Sequence, residues 1–330
     1  MSFNRPEGFA PNVAIILSTF NGEKYIRDQI GSLLNQSYKS VRIYIRDDGS
    51  TDATLGILEG LSDDRIELRN DTLGNLGPSA AFLHLLTVVR ADIYFFCDQD
   101  DIWRPHKVQE AVTRLADIGF SNPALFHTDL TLVDHKLESL GDTFNGRADI
   151  RIPDDYDLGH MLIQNCVVGC TVAVTDALVE VSGVRDLTFE ADNVAMHDWW
   201  LALCAIVFGE PAYSDRTSVL YRQHSDNVSG ASKKRNVVQR LRVVGLGAGI
   251  KRIAIYKKRI AKQARYFLDR YGEGLGADQV ETLRGISGLG VGSGRRGITF
   301  CLKNRIWFKK WYMNASFLLI ATLSNPFRKS

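Results

Sequence analysis

The run Tyr94-Phe95-Phe96-Cys97 ends abruptly in Asp98-Gln99-Asp100-Asp101. An apolar run of this kind, preceded by Ala91-Asp92-Ile93, predicts a buried parallel strand. Open α/β sheets hold their ligands beyond the carboxyl ends of such strands. Asp98, Asp100 and Asp101 gathered there repel one another unless a cation neutralises them. Oxygen ligands that leave positions open for phosphates suit Mg2+ or Mn2+. The chemistry this pattern points to is a metal–diphosphate site. The plain alternative is an acidic loop that caps a helix starting near Pro105, since acidic clusters are common on surfaces.

Strands and helices must position that cluster, and their pattern is legible. Residues 13–18 and 41–46 read as buried strands, 65–68 as a short one, and 93–97 and 124–128 as two more. Between them, residues 23–36 carry Tyr25, Ile26, Ile30, Leu33 and Leu34 at helical spacing, with helices also expected over 78–89 and 105–118. Ser50 or Thr51 is a plausible N-cap for a helix after the second strand. The alternation predicts a doubly wound, mostly parallel sheet over the first ~130 residues. Residues 134–157 are polar and read as a long loop over one face of the site, 166–174 as a strand, 197–208 as an apolar helix, and 212–221 as short strands.

Composition is ordinary for a globular protein, with 45% hydrophobic and 24% charged residues. The five cysteines show no C-x-x-C spacing and are expected as free thiols. Residues 1–12 lack the apolar segment of a secretory signal. Charge is divided unevenly: residues 231–330 hold 22 Lys and Arg against 4 Asp and Glu, and residues 1–230 hold 18 against 34. This predicts an acidic catalytic body, residues 1–230, and a basic, mainly helical region, residues 231–330, for an anionic membrane or another polyanion. Over 251–270, Ile253, Tyr256, Ile260, Ala264, Phe267 and Leu268 fall on one side of a helix, while Lys257, Lys258, Arg259, Lys262 and Arg265 fill much of the rest. Residues 285–297 read as a glycine-rich hinge. The apolar run 311–323 is 13 residues, short of the ~20 that span a bilayer.

Three strand ends thus carry polar motifs: Ser18-Thr19-Phe20-Asn21, Asp47-Asp48-Gly49-Ser50-Thr51-Asp52 and Asp98-Gln99-Asp100-Asp101. In order and spacing they resemble the inverting family-2 glycosyltransferases of GT-A fold. Asp98-Gln99-Asp100-Asp101-Ile102-Trp103, with His197-Asp198-Trp199-Trp200 and Tyr221-Arg222-Gln223-His224-Ser225-Asp226-Asn227 downstream, resembles a bacterial rhamnosyltransferase-type branch. The resemblance covers about residues 12–230. It implies an α/β GT-A fold, Rossmann-like, with a mostly parallel sheet flanked by helices.

The resemblance also implies roles. Asp98, Asp100 and His224 would hold Mn2+ or Mg2+. Thr19, Asn21, Glu23, Asp47, Asp48, Asn75, Asp98 and Gln99 would line the nucleotide-sugar site, with either Asp47 or Asp48 accepting the N3–H of the pyrimidine. Asp198 would be the catalytic base, and Trp199 and Trp200 could stack on acceptor sugars. His197 stands where many family members have Glu, which leaves its role open. The expected donor is dTDP-L-rhamnose or another dTDP- or UDP-linked hexose. The expected acceptor is a saccharide or lipid-linked saccharide in cell-surface polysaccharide synthesis. The expected place is cytoplasmic, at the inner face of the membrane, with a possible homodimer through the C-terminal helices. A nucleotidyltransferase would show a Gly-rich phosphate loop after the first strand, and Ser18-Thr19-Phe20-Asn21-Gly22 has none. A non-catalytic polyanion binder is the third reading, and no nucleic acid is expected as a partner.

Overall fold

The computed structural model describes residues 10–148, 150, 152, 156–224, 246–290, 295–307 and 314. Two compact units divide the chain. One is drawn from residues 1–152, 167–191 and 196–231, the other from 153–166, 192–195 and 232–330.

The first unit is built on a nine-stranded mixed sheet: β1 (Val13–Thr19), β2 (Val41–Asp47), β3 (Ile66–Leu68), β4 (Ile93–Cys97), β5 (Ile102–Trp103), β6 (Ala124–Val133), β7 (Ser139–Thr143), β8 (Ala173–Thr175) and β9 (Glu210–Arg222). Its order is β3-β2-β1-β4-β8-β6-β9-β5, with β7 beside β6. Strands β3, β2, β1 and β4 are parallel, and so are β6 and β9; β8 is antiparallel to both its neighbours. All five residues of β4 are buried, as are the first five of β1. Layers on both faces explain why these strands read as continuous apolar runs rather than alternating ones.

Helices α1 (Ile26–Leu34), α2 (Thr54–Glu59), α3 (Pro78–Val88) and α4 (Lys107–Ile118) follow the strands in turn. Helix α4 buries Val108, Ala111, Val112 and Leu115, the i, i+3, i+4, i+7 stripe of a helix laid on a sheet. Pro78 starts α3, where its missing N–H costs nothing, after Gly77 turns the chain at φ 76°. After α5 (Phe144–Ala148) come α7 (Asp176–Val181), packed beside β8, and α8 (His197–Phe208), with α6 (Leu158–Ile163) belonging to the second unit.

Some expectations need correction. Residues 134–157 are not all loop: β7 pairs with β6, and α5 follows directly. Their polar residues misled because β7 is a half-exposed edge strand. Of residues 166–174, only the last two join a strand; Gly169–Thr171 makes a 3-10 turn instead, with Thr171 Oγ1 donating to the Val168 carbonyl. Neither Ser50 nor Thr51 caps α2; Asp52 does the local work, accepting from Thr54 N and Oγ1.

In the second unit, α9 (Leu246–Tyr271), α10 (Ala277–Ser287) and α11 (Arg295–Lys303) pack through Ile260, Ala264, Phe267, Leu283, Ile286, Ile298 and Cys301. Lys258, Arg259, Lys262 and Arg265 are exposed on α9, but Lys257 is buried, and burial lowers its ammonium pKa. The glycines read as a hinge serve close approach: a Cβ on Gly297 would lie 2.4 Å from Leu289 N, and one on Gly285 would lie 2.3 Å from the Phe300 ring. Gly292, Gly294 and all of 311–323 except Asn314 lie outside the described residues, as do Ser225, Asp226 and Asn227. Among the described residues no helix is long and apolar enough to cross a membrane.

Candidate active site

Parallel pairing brings the three polar motifs side by side. Leu17 pairs with Cys97 and Thr19 with Asp47, so the ends of β2, β1 and β4 open onto one edge of the sheet. Gln99 ties two of them together. Its Oε1 accepts from Thr19 Oγ1 at 2.6 Å and from Phe20 N at 2.8 Å, and its Nε2 donates to the Phe20 carbonyl at 3.0 Å. Asn21, at φ 51°, and Glu23 reach the loop after β2: Asn21 Oδ1 accepts from Thr51 N at 2.8 Å, and Glu23 Oε2 from Ala53 N at 3.0 Å.

Asp47 and Asp48 are both engaged. Asp47 accepts from Ser50 N and Gly49 N, folding the turn after β2. Asp48 is buried, pairs with Arg46, and accepts from Leu76 N at 2.8 Å and Gly77 N at 2.7 Å. Asn75 Nδ2 donates to the Asp48 carbonyl at 3.0 Å. An ionised carboxylate has about four acceptor positions. Three of those on Asp48 are filled, two on Oδ1 and one on Oδ2. Arg46 itself, buried in β2, binds Asp71 and the Gly74 carbonyl, so it anchors the 71–77 loop beside Asp48.

At the end of β4, Asp100 Oδ2 lies 2.7 Å from His224 Nε2. Tyr25 stacks on His224 at 5.1 Å between centroids, and the Arg222 guanidinium sits 4.5 Å from the centroid of the Tyr25 ring. Arg222 Nε donates to the Asp100 carbonyl at 2.8 Å, its Nη1 to the His135 carbonyl at 2.8 Å, and its backbone N–H to Asp101 Oδ1 at 3.2 Å. Arg222 therefore holds the acidic loop by its backbone.

Asp98 is raised well above the usual carboxylate range by burial, then by Asp100 and by Asp198. Asp101 is raised too, first by burial and then by Asp100 and Asp98. Such a cluster stays ionised at neutral pH only with a cation beside it. Ligand atoms of Asp98, Asp101 and Cys170 also lie within 4.8 Å of one another. Burial keeps the Cys170 thiol protonated, however, and Asp101 is fully enclosed with its carboxylate on Arg222 N. The Asp98 and Asp100 carboxylates and the His224 imidazole are donor types that suit Mn2+ or Mg2+.

Asp198 lies in the first turn of α8, where the helix dipole favours an anion. Its Oδ1 accepts from Trp199 N at 2.6 Å, and the Gly169 N–H also bonds it. Burial nevertheless lifts its pKa to about 6. Trp199 is buried, and Trp200 is fully enclosed, its indole N–H donating to the Ser182 carbonyl at 3.0 Å and its ring edge on Phe189. Trp200 thus sits in the core rather than on a sugar-binding surface.

Sequence reasoning missed Lys107. Its ammonium is buried, donates to the Cys170 carbonyl at 2.9 Å, lies 4.5 Å over the Trp103 ring, and is brought to about pKa 8 chiefly by burial. Nothing near Pro105 signals that role. The burial of Arg46 and the anchoring by Arg222 were also missed; a charge inside Val41-Arg42-Ile43-Tyr44-Ile45-Arg46 was the available clue for the first.

Residues 14–131 match the family model described as Glycosyl transferase family 2. Among curated proteins, the dTDP-rhamnosyl transferase RfbG of Shigella flexneri is 28% identical over 268 residues, which cover 77% of this chain and 85% of that one. Among solved structures, S. aureus TarS 1-349 in complex with UDP-GlcNAc superposes with a TM-score of 0.51 at 14% identity, covering 94% of this chain and 89% of that one. The mannosyltransferase PcManGT from Pyrobaculum calidifontis, in complex with GDP-Man and Mn2+, gives 0.51 at 17% identity, covering 98% and 89%. With the mixed sheet, its flanking helices and its acidic strand end, these likenesses identify residues 14–131 as a family-2 glycosyltransferase domain, on a GT-A fold.

Proposed function

We propose that this enzyme is a metal-dependent inverting rhamnosyltransferase that takes L-rhamnose from dTDP-L-rhamnose. The observation that carries the reading is the contact of His224 with Asp100 at the end of β4, beside an Asp98 whose pKa is raised by burial and by the nearby Asp100 and Asp198 carboxylates. Asp98, Asp100 and His224 would hold the divalent ion, which when bound neutralises charge on the departing diphosphate. Thr19, Asn21, Glu23, Asp48, Asn75 and Gln99 shape the loops around the nucleotide, and the Asp48 carboxylate is the acceptor for a pyrimidine N3–H in this reading. Asp47, committed to its own turn, supports that loop. Asp198 takes the proton of the acceptor hydroxyl, and a pKa near 6 keeps it ionised at neutral pH while leaving it basic enough to do so. Similarity to RfbG supports the rhamnose donor. A UDP-hexose is the second reading, supported by the likeness to TarS bound to UDP-GlcNAc.

The acceptor in this reading is a lipid-linked saccharide for a cell-surface polysaccharide, reached from the cytoplasmic face of the membrane. The exposed Lys258, Arg259, Lys262 and Arg265 support peripheral attachment, each cation contributing ~1 kcal/mol near an anionic surface. Hydrolysis of dTDP-rhamnose, UDP-glucose, UDP-galactose and UDP-N-acetylglucosamine, with Mn2+, Mg2+ or EDTA, tests the donor and metal. Turnover of dTDP-rhamnose that EDTA abolishes is expected; turnover of none, or equal turnover in EDTA, would sink the reading. Reversal of the four exposed cations to Glu is expected to release the intact chain from anionic vesicles.

A further inference from the structure

His197 opens α8 beside Asp198, yet its imidazole is 3% exposed and neither ring nitrogen has a hydrogen-bond partner. A neutral imidazole carries one N–H donor and one acceptor. Buried polar groups are nearly always paired, and each exception calls for a physical reason. The ring is wedged between Phe82, 4.5 Å away between centroids, and Phe96, 4.8 Å away. Phe96 stands two residues before Asp98 in the chain, so the two share a face at the end of β4. On the other side, a Cβ on Gly169 would lie 2.9 Å from His197 Nε2 and 3.6 Å from Asp198 Oδ2. Only glycine lets the turn approach this closely, and the imidazole and the carboxylate border the same point.

We propose that His197 is a hydroxyl-recognising group of the saccharide site, its ring pairing with a sugar hydroxyl held next to Asp198. The inference rests on the glycosyltransferase reading and deepens it. A hydroxyl both donates and accepts, so it satisfies the neutral ring in either tautomer. An anion is disfavoured, because burial keeps the ring uncharged and the Asp198 carboxylate would repel it. The hydroxyl belongs to the donor sugar or to the acceptor.

Ring-nitrogen NMR of the intact enzyme, labelled with 15N-histidine and assigned by comparison with His197→Met, separates these sources. A shift of the His197 signals with dTDP-rhamnose or UDP-glucose and Mg2+ assigns the donor sugar. A shift that appears only when p-nitrophenyl glycosides are added as well assigns the acceptor. In parallel, His197→Met is expected to melt no lower than wild type, since an unpaired polar ring gives way to an apolar side chain, and yet to lose at least tenfold in turnover. His197→Asn, which keeps a donor and an acceptor, should lose less. Unmoved His197 signals under all these conditions, or undiminished turnover in His197→Met, would overturn the proposal. A shift in a wild-type protein that turns over no nucleotide sugar would break the reading of the activity while supporting the pairing of this ring with a sugar.

Discussion

His224 Nε2 and Asp100 Oδ2 lie 2.7 Å apart although 124 residues separate them in the chain. The contact joins the end of β9 to the end of β4 and places an imidazole against a carboxylate of the acidic loop. In the proposed metal site, His224→Ala should raise the Mn2+ concentration needed for half-maximal turnover about 10- to 100-fold, as the loss of groups that tune a metal site does. Titration of turnover against Mn2+ measures this. Because burial and neighbouring carboxylates raise Asp98, cation binding has to displace a proton there. The apparent Mn2+ affinity should therefore increase with pH across the neutral range, with proton release visible in calorimetry in buffers of different ionisation enthalpy.

Asp198→Asn should lower kcat by about 10²–10⁴-fold, the usual contribution of a general base, with donor affinity nearly unchanged. Asp198 is active as a carboxylate, and burial raises its pKa to about 6. Protonation below that value removes the base, so kcat/KM should fall tenfold per unit as pH drops below about 6. Asp198→Asn should lose this acidic limb.

Asp48 and Arg46 form a buried ion pair beneath the loop at 71–77. Removing one partner of such a pair costs about 3–5 kcal/mol, because the other charge stays buried. Asp71 still faces Arg46, so Asp48→Asn should fall at the low end of that range by urea unfolding. Donor binding should weaken too, since the Leu76 and Gly77 amides lose a charged acceptor.

Lys107→Met keeps an apolar stem but leaves the Cys170 carbonyl without its ammonium partner. A buried acceptor left unpaired costs about 1–3 kcal/mol. Cys170 belongs to the turn whose Gly169 N–H bonds Asp198. A drop in kcat with little change in donor KM is therefore expected alongside lower stability, and Lys107→Arg should recover part of neither, since a planar fork does not fit a single carbonyl.

His127 is buried and held neutral, its pKa brought down to about 3. Unfolded, it titrates near ~6.5. Between these values the unfolded chain binds the extra proton, so this residue's contribution falls as pH decreases from 6.5 toward 3. Wild type should lose stability relative to His127→Phe by up to about 1.4 kcal/mol per pH unit in that window. Equal slopes in urea unfolding at pH 6.5, 5.5 and 4.5 would refute the assignment.

Periodicity alone predicted β1, β2, β4, α3 and α4, because strands covered on both faces and helices laid on a sheet carry strong apolar patterns. It failed at β7, a half-exposed edge strand, and at the 169–171 turn, whose apolar residues are buried without being extended. The chemistry-bearing residues were legible by type: carboxylates closing an apolar run announce themselves wherever they occur. Their partners were not, because a contact such as Asp100–His224 or Lys107–Cys170 depends on which strand ends register side by side. The linear chain thus determined which segments would be strands and helices and where acidic chemistry would gather, since both are local consequences of side-chain type and spacing. Tertiary structure alone decided that Asp48 is three-quarters occupied, that Trp200 is core, and that His197 is left unpaired beside Asp198, because burial and hydrogen-bond satisfaction arise only when distant elements pack.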